Sequence, residues 1–251
     1  MISFHMPVRR TLTCIVLMLA SALLIAGCSL PWQHNSSTAA ASGFTSKPTA
    51  QQVLSTIQKN FRTVNTFHLI MKVDNLGNAS GSQIQIRSAD GDVIMPDKVK
   101  ALASVLFSGQ LVTIKLVSIG DIQYITDPIT GQWRVLKGVL NVSALTNPDT
   151  GVISLVGKLQ NVAGPTDDVV NGVPCWRVTG SLDAKYLKFL TGGGVPAGTM
   201  LQTSVCVGKA DGQLYQLSAV GQAATGDTAQ TSRTFTISNY NEHVTITAPQ
   251  M

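Results

Sequence analysis

The side chains that most often perform catalysis are few in this sequence, and they form no familiar catalytic pattern. The chain contains no G-x-S-x-G, H-E-x-x-H, Walker or G-x-G-x-x-G motif, and its only glutamate is Glu242. Asp167 and Asp168 are adjacent and are interpreted as a solvated turn, with a weak cation site as the alternative. No histidine after position 28 lies at a spacing that pairs it with a nucleophile; these are His34, His68 and His243. The sequence therefore predicts a protein that is not an enzyme and that needs no cofactor or metal.

Cys28 has the clearest chemical role in the chain. It ends the segment LIAGC at residues 24–28, and residues 11–27 before it carry no charge and follow two arginines, Arg9 and Arg10. This arrangement has the basic flank and the short apolar region of an export signal. Small residues directly before a cysteine resemble the bacterial lipobox, in which signal peptidase II cleaves and the cysteine thiol carries a diacylglyceryl group. We therefore predict a signal peptide at residues 1–27 and a lipid anchor on Cys28.

The alternative for the same segment is a transmembrane anchor followed by an incidental cysteine. Residues 11–27 are short for a membrane span, which needs about 20 apolar residues. Both interpretations export the protein and hold it at the outer face of the cell membrane. Residues 28–48 then form the acylated N-terminus and a flexible Ser/Thr/Ala-rich linker, and residues 49–251 form a single domain.

The remaining cysteines, Cys175 and Cys206, form an even pair in a protein predicted to be exported. Such a compartment favours a disulfide, and two buried free thiols are the alternative. In VPCWRVTG, Trp176 and Val178 should face inward, and the same alternation in TSVCVGK turns Cys206 outward. Both cysteines then lie on the outer face, on strands that we expect to be neighbours with the two cysteines directly opposed.

Composition favours a protein with more apolar surface than a simple core needs. Charged residues make up 12% of the chain and hydrophobic residues 44%, whereas charged residues usually make up about 25% of a soluble protein. The net charge of +5 is too small and too scattered for a nucleic-acid interface. No nucleic-acid partner is expected.

Most of the domain alternates apolar and polar residues, as antiparallel strands do. TFHLIMKV, LVTIKLV and RTFTISN are examples, and the dipeptide Asp211-Gly212 predicts a hairpin. Helices are predicted from Ser46 or Thr49 to Val64, over residues 96–106 and 151–162, and over residues 181–190. The fold class is therefore α+β, with about ten strands and a few helices.

Several short motifs occur in a recognisable order along the domain: MKV (71–73), ADGDV (89–93), IGD (119–121), DPITGQW (127–133), NGV (171–173) and HVTITAP (243–249). Their order resembles the LppX/LprAFG family of bacterial lipoproteins over residues 50–249, although a cysteine near position 175 is not typical of that family. The resemblance implies a LolA/LolB-like half-barrel, in which a strongly curved antiparallel sheet wraps round helices and leaves an apolar cavity.

The predicted function is that of an anchored lipoprotein that binds acylated lipid in this cavity and carries or presents it at the cell envelope. The expected partners are an acylated lipid or lipoprotein ligand and the membrane, and we expect a monomer. An envelope sensor or assembly factor that binds a protein partner, and a surface lipoprotein with a filled core, are the alternatives. The predicted cavity-lining residues are the apolar strand faces: Phe67, Leu69, Met71, Ile84, Ile86, Val112, Ile114, Leu116, Tyr124, Trp176, Val178, Phe235 and Ile237.

Overall fold

The structure of the protein is a computed structural model that describes residues 42–77, 85–107, 109–137, 146, 147, 149, 151–191 and 194–251. The predicted signal peptide, Cys28 and Ile84 lie outside the described residues. The described part of the chain contains no helix that is both long and apolar enough to cross a membrane.

Eleven strands make up most of the described part of the domain. The first six are β1 (Thr66–Leu76), β2 (Gln85–Ile94), β3 (Lys98–Phe107), β4 (Gln110–Ile119), β5 (Ile122–Thr126) and β6 (Trp133–Lys137). The other five are β7 (Gln160–Val170), β8 (Val173–Asp183), β9 (Met200–Gly208), β10 (Leu214–Val220) and β11 (Asp227–Ser238).

All eleven strands belong to one antiparallel sheet in the order β6-β5-β4-β3-β2-β1-β11-β10-β9-β8-β7. Each half of the chain is a meander of consecutive strands. The two meanders join where β1 pairs with β11, with Leu69 opposite Ile237 and Met71 opposite Phe235. The sheet does not close, so β6 and β7 are its edges.

Helix α1 (Ala50–Phe61) packs against one face of this sheet, which we call the inner face. Thr49 caps it with a capping box: the Thr49 hydroxyl accepts from the Gln52 N–H at 3.2 Å, and the Gln52 side chain accepts from the Thr49 N–H at 2.7 Å. Val53, Leu54 and Ile57 are at most 3% exposed. Their helical spacing turns one apolar side of α1 onto the strands, as the sequence predicted.

Three predicted helices differ from the structure. Residues 98–107 form β3 rather than a helix, because the alternation of Val99, Ala101, Ala103 and Val105 places these side chains on the inner face between β2 and β4. A helix there would leave the facing N–H and C=O groups of both neighbours without partners.

The other two predicted helices are short. A 3-10 helix spans Val152–Lys158, and β7 begins immediately afterwards. Strand β8 continues to Asp183, and only Ala184–Leu187 (3-10) and α2 (Lys188–Thr191) are helical. Asp167 and Asp168 lie within β7 and not in a turn, because both belong to its ladder with β8.

Cys175 and Cys206 are disulfide-bonded, with their Cα atoms 5.6 Å apart. Both are fully buried on the outer face of the sheet, in a small cluster with Val170 and Tyr215 that is separate from the main core. The predicted direct opposition is wrong: Cys175 is opposite Gly208, and Cys206 is opposite Arg177. The bond is therefore a diagonal link between β8 and β9.

Arg177 connects four strands across the same outer face. It lies on β8 and donates to Asp168 on β7, to the Ser204 hydroxyl on β9 at 3.1 Å, and to the Gln216 side-chain oxygen on β10 at 3.2 Å. The Arg177 guanidinium, together with the Val169 N–H, lowers the pKa of the Asp168 carboxyl. The charged form of Asp168 is thus favoured by folding.

Removing the disulfide should destabilise the domain through its unfolded state. The bond closes a loop with a sequence separation of 31 residues, which the chain-entropy model values at about 3–4 kcal/mol. We expect the double variant Cys175→Ala/Cys206→Ala to lose about that much free energy of unfolding in urea titrations. Val170→Ala, in the same cluster, controls for lost apolar contacts, and a double variant no less stable than this control would contradict the expectation.

Asp168→Asn should destabilise the protein in a pH-dependent way. The pKa of Asp168 is lower in the folded than in the unfolded chain, so its contribution is present above the ordinary pKa near 3.8 and is lost as pH falls through the lowered value. Wild type should therefore exceed Asp168→Asn in free energy of unfolding at neutral pH, and the gap should close in strong acid. Asp74→Asn is the control, since exposed Asp74 makes no ion pair in the described part of the chain. An equal gap at both pH values would refute the linkage.

Candidate functional site

The inner face of the sheet is the candidate site, and strand pairing decides which side chains belong to it. Directly paired residues of antiparallel strands point to the same face. Phe67 and Leu69 of β1 pack with α1 and therefore mark the inner face. The residues paired with them on the neighbouring strands also face inward, and so does every second residue along each strand, except where a bulge shifts the register.

Part of this face is filled, and we call it the packed region. It lies under α1 and the 3-10 helix at Val152–Lys158. Five predicted lining residues lie there with no more than 9% of their surface exposed: Phe67, Trp176, Val178, Phe235 and Ile237. These five are core residues.

A small hollow remains within the packed region. Its volume is about 20 Å³, and its lining is apolar, including Phe61, Leu69, Val93 and Ile153. That volume admits about one water-sized molecule. An acyl chain would enter here only if α1 or the 3-10 helix moved.

The inner face of β2–β5 is different, and together with its β1 border we call it the open region. Several of its apolar side chains, among them Val112, Ile114 and Leu116, are half-buried and Ile86 is 40% exposed, whereas Ala103 and Val105 are buried. It contains the predicted lining residues Met71, Ile86, Val112, Ile114 and Leu116, and Leu69 lies between the two regions.

Small residues form the floor of the open region. Ala89 is directly opposite Ala103, and Gly91 is opposite Ala101. A Cβ atom on Gly91 would lie 2.4 Å from the Lys100 carbonyl oxygen and 2.5 Å from the Ala101 Cβ, so only glycine permits this close approach of β2 and β3. The larger side chains of β1 and β4 border this floor on its two sides, which makes the open region a shallow apolar trough.

Charge on the inner face is compensated where it occurs near this trough. Arg233 of β11 is opposite Val73 and forms a two-bonded ion pair with Asp227, at 2.7 and 2.9 Å. Asp227 also accepts from the N–H groups of Ala223 and Ala224, each at 2.8 Å. Both side chains are buried, and their mutual bonding leaves this part of the face without net charge.

Tyr124 does not belong to the inner face, and its assignment as a lining residue is wrong. It is paired with Val117 of β4 and Val135 of β6, which lie on the outer face. Gln123 and Ile125 occupy the inner face instead. Both faces of β5 carry large apolar residues, so alternation within this short strand could not decide its orientation.

Sequence reasoning also missed the floor of the trough. Ala101 and Ala103 lay in a segment predicted to be helical, and Ala89 and Gly91 carry little apolar signal of their own. The only available signal was the alternation of Val99, Ala101, Ala103 and Val105, which a helical pattern also partly accommodates.

The outer face of β7–β10 carries a second, polar concavity of about 500 Å³. Hydroxyl and amide side chains of Thr179, Ser181, Gln202, Ser204 and Ser218 line it, with Asn161 at its β7 side. Its lining is uncharged, and it can form hydrogen bonds to neutral polar groups. Nowhere in the described part of the chain do three or more His, Cys, Asp or Glu side chains come together in a way that could hold a metal ion.

Comparison with known proteins identifies the family. Residues 49–246 match the LppX_LprAFG lipoprotein family. The chain belongs to this family. The predicted membership and the half-barrel fold are therefore confirmed, and the family is one of envelope lipoproteins rather than enzymes.

Individual relatives agree with this assignment. The lipoarabinomannan carrier protein LprG of Mycolicibacterium smegmatis is 25% identical over 240 residues, which cover 91% of this chain and 92% of LprG. The crystal structure of LprF from Mycobacterium bovis has a TM-score of 0.64 at 20% identity, covering 81% of this chain and 99% of LprF. That of LppX from Mycobacterium tuberculosis has a TM-score of 0.55 at 20% identity, covering 78% of this chain and 99% of LppX. As a member of the LppX/LprAFG family, the protein is a lipoprotein.

Proposed function

We propose that this LppX/LprAFG protein takes up acylated lipid in the open region of its inner face and carries or presents it at the outer face of the cell membrane. The half-buried state of Ile114, Leu116 and Met71 is the observation that carries this proposal. These side chains face a trough with a floor of alanine and glycine, while equivalent positions of the packed region are fully covered.

The trough suits the hydrocarbon part of a lipid. Each CH₂ group that leaves water contributes about 0.8 kcal/mol, so a few contacting methylenes supply useful affinity without any catalytic group. Paired charges at Arg233 and Asp227 do not oppose an apolar ligand. LprG is a lipoarabinomannan carrier protein, and its role supports a carrier role for this chain.

The proposal also includes the tether. Cys28 carries acyl chains that hold the domain at the membrane, and residues 28–48 link it to the domain at residues 49–251. Two or more buried acyl chains give stable anchoring. Lipid loading is then a local event at the surface to which the protein is attached.

A polar substitution in the trough tests the lipid site. Ile114→Asn replaces an apolar inner-face side chain with a polar one. Thr113→Asn introduces the same residue at an exposed outer-face position of the same strand. Loss of Ile114 burial, about 1.5–3 kcal/mol, should lower the lipid bound per protein by roughly tenfold or more. Thr113→Asn should retain wild-type lipid content.

The measurement is native mass spectrometry of the full-length protein, followed by lipid extraction and quantification. Extraction separates bound lipid from acyl chains attached covalently to the protein. Wild-type protein without bound lipid, or equal lipid content in both variants, would contradict the proposal. A co-purifying protein in place of lipid would favour the assembly-factor alternative.

The anchor is tested by Cys28→Ala. In cells fed a labelled fatty acid, the wild-type protein should incorporate label that resists organic extraction, and Cys28→Ala should incorporate none because the acceptor thiol is absent. Cys14→Ala is the matched control, since Cys14 lies within the predicted signal and should leave labelling unchanged. Equal labelling of wild type and Cys28→Ala would exclude Cys28 as the acylated residue.

A further inference from the structure

The outer face of β3–β6 presents a surface that the lipid site does not use. Pairing places every second residue of these strands on this face, opposite to the trough. The surface, which we call the lysine face, consists of four lysines and four exposed apolar residues: Lys98, Lys100, Lys115 and Lys137 with Leu102, Leu111, Ile122 and Val135.

Lysines and apolar side chains are direct neighbours on this face. Leu102 is directly opposite Lys115, and Ile122 is directly opposite Lys137. Leu102 is 51% exposed, Ile122 is 42% exposed and Val135 is 49% exposed. Single exposed apolar residues are ordinary, but Leu102, Ile122 and Val135 lie in three adjacent cross-strand rows that also contain the four lysines, while Leu111 lies beyond the Ser104–Thr113 pair.

The charge of the lysine face is of one sign. No outward-facing residue of β3–β6 is acidic, and in the described part of the chain none of the four lysines lies within 4 Å of a carboxylate. On the adjacent β2, Asp90 and Asp92 are bonded to His68, at 3.3 and 2.8 Å. In the turn after β5, Asp127 is bonded to Arg134 at 2.7 Å.

We propose that the lysine face docks onto an anionic phospholipid surface. Branched apolar side chains between lysines are the composition of an interfacial membrane contact: the ammonium groups meet lipid phosphates while Leu, Ile and Val contact the acyl boundary. Lysines near an anionic leaflet each contribute about a fivefold increase in binding. An envelope lipoprotein is held close to such a surface, which raises the effective concentration of its lysine face.

Docking would position the lipid site without being part of it. The strands β3–β5 carry the lysine face on one side and the trough on the other, and the edge strand β6 carries Val135 and Lys137 of the lysine face and borders the trough. With the lysine face on the membrane, a lipid reaches the trough by passing round this edge. The inference thus goes beyond the proposed lipid site and concerns a separate surface.

Amine labelling of the full-length protein in vesicles tests the proposal. The protein is reconstituted into phosphatidylcholine vesicles with or without phosphatidylglycerol, treated with an acetylating reagent, and analysed residue by residue by mass spectrometry. We expect Lys98, Lys100, Lys115 and Lys137 to react several-fold more slowly in the anionic vesicles, and high salt to remove this protection. The exposed Lys59 and Lys158 serve as internal references and should react equally in both.

Two double variants, each lacking two positive charges, provide the matched comparison. Lys100→Gln/Lys115→Gln should weaken docking by about 25-fold and expose Lys98 and Lys137 to reagent in anionic vesicles. The control, Lys59→Gln/Lys158→Gln, should leave them protected. The proposal would be overturned if the lysine face reacted equally in both vesicle types, or if both double variants lost protection to the same extent. Protection that requires another envelope protein would also overturn it. None of these outcomes alters the lipid content measured for Ile114→Asn, so the two proposals fail separately.

Discussion

The antiparallel pairing of β1 with β11 is the contact on which the rest of the domain depends. It joins strands from opposite ends of the domain, and without it the protein would be two meanders with four edges. Its register sets Leu69 opposite Ile237 and Met71 opposite Phe235, which combines the apolar sides of both meanders into one continuous inner face. Such long-range pairing carries a loop-closure cost that burial of this face must offset.

In the described part of the chain, helices cover only part of the face that this pairing creates. Helix α1 and the 3-10 helix at Val152–Lys158 fill the packed region, where large side chains such as Phe61 and Phe235 interlock. At the centre of β2 and β3 the inner residues are alanine and glycine, and the neighbouring Ile114 and Leu116 of β4 stay half-buried. The division into a core and an apolar trough therefore follows from where the helices lie and from how small the floor residues are.

The outer face is also divided, but by polarity. On β7–β10 the strands are linked by the Cys175–Cys206 bond and by Arg177, which donates to Asp168, Ser204 and Gln216. On β3–β6 the lysines have no such internal partners among the described residues. The charge of Arg177 is thus paired within the sheet, whereas the lysines of β3–β6 have charge that is available to a second surface.

Local sequence determined the elements with a strong pattern of their own: the capped helix α1, the strands with strict alternation, the family, and the side of the sheet on which both cysteines lie. Alternation is a property of neighbouring residues, so it is visible before any pairing is known. Tertiary structure alone decided the rest. Residues 98–107 form β3 because β2 and β4 both pair with this segment. Tyr124 points outward because its pairing with β4 sets the register of β5. The two cysteines are diagonal because the β8–β9 register places Cys206 two residues away from the position opposite Cys175. Which apolar residues are covered depends on where helices from distant parts of the sequence pack, and the local pattern of a strand does not contain that information.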